Sequence, residues 1–232
     1  NLYNLHRAAP AARQSGRLIV VEGYMDVIAL AAAGIAECVA PMGTALTEQQ
    51  LELLWRQVET PVLCFDGDAA GQRAAMRAIS RALPMLRPAH SLQFALLPEG
   101  LDPDDLLKTK GRAAMEALLN NARPLVDALW EAEREASPLE TPEAKAGLKE
   151  RLNAHVEAIG HPDVGSLYRR ELMDRYSAFA FPKREKQAFT PRKFTAKGQN
   201  GGQRGRFSNE HHASDPQSIA KLNRAMDGNR DV

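Results

Sequence analysis

The 232-residue sequence predicts an α/β fold: a parallel sheet covered by helices on both faces, then a small helical subdomain, then a disordered basic tail. Three observations carry that reading. Short apolar runs alternate with helix-forming stretches from about Arg17 to Leu97, the pattern of βα units whose strands are buried on both sides. Past Asp102 the strand-like runs stop and only helical periodicity continues. From Pro182 the chain becomes rich in Lys, Arg, Gly, Gln and Asn, a composition that cannot bury enough apolar surface to fold.

The elements follow in order. LIVV (18–21) reads as a buried strand and MDVIALAAAG (25–34) as a helix stopped by Gly34. ECVAP (37–41) is a second, shorter strand. In LTEQQLELLWRQV (46–58), Thr47 is a plausible N-cap, with Leu51, Leu54, Trp55 and Val58 on one face. PVLCF (61–65) is a third strand. A helix rich in Ala and Arg runs from Ala69 to about Leu83, where Pro84 ends it. SLQFALL (91–97) is a fourth strand. DPDDLLKTKG then opens a helix with acids in its first turn. Further helices are predicted over about 112–120, 124–136, 142–159 and 166–179, whose Leu, Trp and Val positions read as core. The implied boundaries are 1–16 for the end of a preceding subdomain, 17–108 for the α/β domain, 109–180 for the helical subdomain and 181–232 for the tail.

Bulk composition excludes several classes. A hydrophobic content of 44% with 25% charge is that of a globular domain. Cys38 and Cys64 each lie inside an apolar run and form no CxxC pair, so they read as buried free thiols in a reducing cytosol, not as a zinc ribbon or disulfide scaffold. The longest apolar stretch, VIALAAAGIA (27–36), is far short of the ~20 residues that cross a bilayer, and no signal peptide is visible. The chain has no initiator methionine and opens within what reads as an amphipathic helix, which predicts a fragment or a processed form. The net charge of +1 conceals an arm of about +7 over residues 182–207. That arm reads first as a solvated tether. Its nucleic-acid reading rests on Lys183, Arg184, Arg192 and Lys193 for phosphates and Phe189, Phe194 and Phe207 for stacking.

The chemistry concentrates in acids at strand ends. Glu22 follows the first strand, with Asp26 one helical turn on; Asp66 and Asp68 follow the third. In an open parallel sheet ligands sit beyond the carboxyl ends of the strands, so if those two strands are neighbours the acids share one crevice. Carboxylates clustered there suit a hard divalent cation, and two such ions could serve phosphoryl transfer. Gly23 and Gly67 permit tight turns after the strands, and Gly71 permits close backbone approach. Asp102 and Asp104 are split evenly between metal ligation and helix initiation, and Asp105 reads as a first-turn acid. The histidines show no ligand spacing. A P-loop and GxGxxG are absent, which removes Walker-type NTPases and dinucleotide enzymes.

VVEGYMDVIAL, VAPMGTALT, FDGDAAGQRAA and LPEGLDPDDLL, in this order and spacing, resemble the Toprim half of bacterial DnaG-type DNA primases over about residues 1–179. EGxxD with DxD alone is shared with type IA topoisomerases, recombination mediators and Toprim nucleases; the fuller set looks like a primase. The resemblance implies the Toprim, Rossmann-like form of the sheet. It also implies synthesis of short RNA primers, with a 3′-hydroxyl attacking the α-phosphate of an incoming ribonucleotide. It makes Glu22, Asp66 and Asp68 catalytic and, with Asp26, Asp102 and Asp104, ligands of Mg²⁺ or Mn²⁺. Arg73 becomes a candidate phosphate contact. Implied partners are single-stranded DNA, ribonucleoside triphosphates and a replicative helicase, in the bacterial cytoplasm at the replisome. The family's zinc module, the basic amino-terminal half of its polymerase core and its helicase-docking domain have no counterpart in these residues, so the chain is expected to hold the metal site but to prime poorly alone. The rival expectations are another Toprim enzyme, a nuclease foremost, and a non-catalytic module that binds metal and nucleic acid.

Overall fold

The computed structural model describes residues 1–43 and 46–182. In chain order the elements are β1 (Leu2–Tyr3), α1 (Leu5–Ser15), β2 (Ile19–Val20), α2 (Tyr24–Ala32), β3 (Cys38–Pro41), α3 (Glu48–Trp55), β4 (Val62–Phe65), α4 (Ala69–Ala82), β5 (Gln93–Leu96), α5 (Pro103–Asn120), β6 (Arg123–Pro124), α6 (Leu125–Glu135), α7 (Pro142–Glu157) and α8 (Pro162–Ala180). A short 3-10 turn, Leu83–Met85, carries Pro84 where α4 ends.

The six strands form one mixed sheet in the order β1-β3-β2-β4-β5-β6. The four inner strands are parallel, as their unbroken apolar runs predict. Both edges depart from the parallel expectation: β1 pairs antiparallel with β3, and β6 antiparallel with β5. These edge strands are two residues long and contain no apolar run. The sheet therefore reaches beyond residues 17–108 at both ends.

Successive strand residues feed opposite faces. Ile19, Val21, Cys64 and Ala95 pack with α2 and α5 residues such as Leu30 and Met115. Val20, Leu63, Phe65 and Phe94 pack against α1, α3, α4 and α6–α8. That second core runs without interruption from the sheet to Leu152 and Leu172, so the helical segment completes one face of the sheet. Cys38 and Cys64 are buried free thiols, and burial pushes both up to about 12.

Local signals explain several boundaries. Thr47 and Gln50 form a reciprocal capping box at α3: Thr47 Oγ1 accepts from the Gln50 N–H at 3.3 Å and Gln50 Oε1 from the Thr47 N–H at 2.8 Å. Gly111, at φ 74° and ψ 177°, breaks α5 where the sequence predicts two helices. No helix among the described residues is long and apolar enough to cross a membrane.

Candidate metal and nucleotide site

Strand order decides what the acids can do. β2 and β4 are parallel neighbours, with Ile19 opposite Val62 and Val20 opposite Leu63, so their carboxyl ends open on one crevice. Glu22 lies just past β2 and Asp66 just past β4, and the Asp66 N–H donates to Glu22 Oε1 at 3.3 Å.

Three more acids are fixed by the helix starts they cap. Asp68 is the N-cap of α4, its Oδ1 accepting from the N–H groups of Ala70 and Gly71, both at 2.8 Å. Asp102 is the N-cap of α5, its Oδ1 accepting from the Asp105 N–H at 2.7 Å. Asp26, in the first turn of α2, accepts from the Gly23 N–H through Oδ2 at 3.1 Å. Each bond occupies one carboxylate oxygen and leaves the other for a ligand. Asp104 is placed differently: it pairs with Lys108 one turn along α5.

The electrostatics record the convergence. Asp66 is pushed up to about 6, first by burial and then by the charges of Glu22, Asp26, Asp102 and Asp68. Burial also raises Asp26, reinforced by Asp102, Glu22 and Asp104 and opposed by its Gly23 hydrogen bond. Among the described residues no three His, Cys, Asp or Glu side chains stand at metal-ligating distance from a common point. The donor set nevertheless fits a hard divalent cation. It is all carboxylate oxygen, drawn from five element ends, and its mutual repulsion is the imbalance a cation would remove.

Two glycines shape the loop for reasons partly legible in the sequence. A Cβ at Gly71 would stand 2.1 Å from the Asp66 carbonyl oxygen, the close approach that position predicts. A Cβ at Gly67 would stand 2.2 Å from the Leu97 oxygen and 2.3 Å from the Pro98 oxygen, so this position too serves close approach, binding the Asp66–Asp68 loop to the segment before Asp102. Gly23 is extended, at φ −124° and ψ 158°, and makes no tight turn.

Arg77 is a site-proximal residue that motif reasoning passed over: it lines a cavity with Glu22, Val21 and Phe65. Its signal was the Arg73, Arg77, Arg81 spacing on the helix that Asp68 caps. Lys183, Arg184, Arg192 and Lys193 lie outside the described residues.

The comparisons with known proteins bear on the family and the fold. Residues 16–94 match the Toprim domain family. The DNA primase of Neisseria meningitidis serogroup A is 42% identical over 175 residues, covering 75% of this chain and 30% of the relative. The Escherichia coli K12 DNA primase is 42% identical over 147 residues, covering 63% of this chain and 25% of the relative. Among solved structures, the E. coli primase catalytic core superposes with a TM-score of 0.69 at 37% identity, covering 76% of this chain and 56% of that one. The DnaG primase catalytic domain bound to single-stranded DNA gives a TM-score of 0.68 at 37% identity, covering 75% and 56%. The chain thus spans about a third or less of the curated relatives it matches.

Proposed function

The chain carries a Toprim domain homologous to that in the catalytic core of DnaG-type primases, and from that premise we propose that it supplies the metal-binding half of a bacterial DNA primase, acting in the cytoplasm at the replisome. The observation that supports this best is the adjacency of β2 and β4, which sets Glu22 beside Asp66 at one end of the sheet. A Toprim domain of this kind uses divalent metal; we assign Mg²⁺ or Mn²⁺ to Glu22, Asp26, Asp66, Asp68 and Asp102, with Asp104 in an outer position beside Lys108.

Bound divalent cations stabilise the attacking and leaving oxygens of an in-line phosphoryl displacement. The chain's own groups prepare the place for that step. Asp66 donates its N–H to Glu22 and holds that carboxylate at the crevice. The caps at Asp68 and Asp102 fix two carboxylates by their helix starts, so little side-chain freedom is lost when a ligand arrives. The reaction assigned is attack by a 3′-hydroxyl on the α-phosphate of a ribonucleoside triphosphate, directed by single-stranded DNA, with pyrophosphate leaving. The replicative helicase is the partner proposed for the whole protein.

Calorimetric titration with Mn²⁺, run beside incorporation of labelled ribonucleotide on single-stranded DNA, tests the assignment. Wild type binds Mn²⁺ and incorporates only weakly on its own, and the Asp66→Asn, Asp68→Asn double variant binds about tenfold or more weakly and loses that residual incorporation. Strand cleavage without incorporation would transfer the site to a Toprim nuclease. Equal Mn²⁺ binding by wild type and variant would remove these acids as ligands.

A further inference from the structure

Helix α4 starts at the acidic site and carries Arg73 and Arg77 one turn apart, about 6 Å along the axis. Both are exposed. Among the described residues Arg17, Arg87, Arg112, Arg123, Arg134, Arg151 and Arg175 are held by carboxylates; Arg73 and Arg77, like Arg169 and Arg170 on α8, are not. What sets Arg73 and Arg77 apart is their setting. Arg77 shares a cavity with Glu22, and on its other side it lines, with Arg73, the groove between α4 and α6. The opposite wall of that groove carries Glu131 and Glu135, which Arg123 and Arg134 already match.

From this placement we infer that Arg73 and Arg77 form a cationic crest that binds successive phosphates of single-stranded DNA next to the acidic cluster. The inference rests on the primase reading above for its partner class. An acidic cluster repels a phosphodiester strand, so a strand that approaches it needs positive charge close by. α4 supplies that charge from the helix that also delivers Asp68. A ligand that reached from the Glu22 cavity along Arg77 and Arg73 would be extended, with anionic groups where it meets the arginines. A strand meets that requirement, with phosphates repeating on the scale of one helical turn, whereas a free triphosphate has a single anchor.

The test is fluorescence anisotropy of labelled oligodeoxythymidylate binding to the 232-residue chain across a salt series, beside the nucleotide-incorporation assay. The Arg73→Ala, Arg77→Ala variant is compared with Arg169→Ala, Arg170→Ala, which removes equal charge from exposed positions on α8. Losing two phosphate contacts lowers the slope of log K against log salt by about 1.4 in magnitude, and the α8 variant keeps the wild-type slope. An unchanged slope in the α4 variant overturns the inference, as does an equal drop in both variants. Weaker ATP binding with an unchanged strand slope also overturns it, assigning the arginines to the triphosphate. A reduced α4 slope carries the inference whatever the level of incorporation, whereas strand cleavage without incorporation by wild type sinks the primase reading alone.

Discussion

Two carboxylate sites in this chain are built in opposite ways. At the sheet end, Asp66 is raised to about 6 by burial and by four neighbouring acids. Between α6 and α7, Glu133 is only 7% exposed, yet it is held below the usual carboxylate range. Its Oε1 meets His155 Nε2 at 2.7 Å, and Arg151 donates to its Oε2 at 2.6 Å and to its backbone oxygen at 3.2 Å. One cluster is balanced from within the protein and fastens two helices together. The other lacks internal balance, which is reasonable only where something from outside carries the positive charge. The contrast separates a structural acid from a ligand-binding one without reference to relatives.

The sharpest way to break the contrast is Glu133→Ala. Removing one member of a buried charge group strands the others, and the expected loss is about 3 kcal/mol of unfolding free energy, read by urea denaturation. Mn²⁺-induced stabilisation should be the same as in wild type; a variant that lost it would mean the two regions are not independent. Next in size is the metal effect itself. At a free Mg²⁺ concentration about a hundred times the Kd, a ligand that binds only the folded state stabilises by about 2.7 kcal/mol. Asp66→Asn should lose most of that gain. Without metal it should be about 1 kcal/mol more stable than wild type, because the repulsion it removes is partly screened by solvent. An Asp66→Asn chain less stable than wild type without metal would contradict the imbalance assigned to this site.

Much of the fold is legible in the sequence because of where the inner strands sit. Buried on both faces, they read as LIVV, ECVAP, PVLCF and SLQFALL and need no period to be found. Thr47 and Gly111 announce a cap and a break through local chemistry alone. β1 and β6 are illegible for the converse reason: two residues, with a proline in β6, carry no pattern, and only pairing makes them strands. The candidate site is legible as residue types at strand ends. Its convergence is not, because the β2–β4 adjacency is a property of sheet order that spacing cannot supply. His155 is the clearest miss. Its partner Glu133 is 22 residues away on another helix, so the sequence offers a lone histidine in a polar stretch.

The smallest predicted effect is the shape of the pH–stability curve, where the two regions pull in opposite directions. Asp66 has a folded value above its ordinary 3.8. The unfolded chain therefore holds fewer protons at this position between about 4 and 6, and stability falls as pH rises through that window. Glu133 has a folded value below its ordinary 4.5, chiefly because His155 and Arg151 hydrogen-bond it against the opposing effect of burial. Its contribution is present above the ordinary value and is lost as pH falls through the lowered one. A metal-free chain should accordingly gain stability from pH 6 down to about 4 and lose it below. Asp66→Asn should flatten the upper limb and Glu133→Gln the lower one, each leaving the other in place. Saturating Mg²⁺ should reverse the upper limb, because the cation requires the ionised carboxylates. Thermal melts of wild type and both variants from pH 3.5 to 7, with and without Mg²⁺, read these limbs directly. A Glu133→Gln chain that kept the full acid-side loss would place that loss outside the α6–α7 clasp.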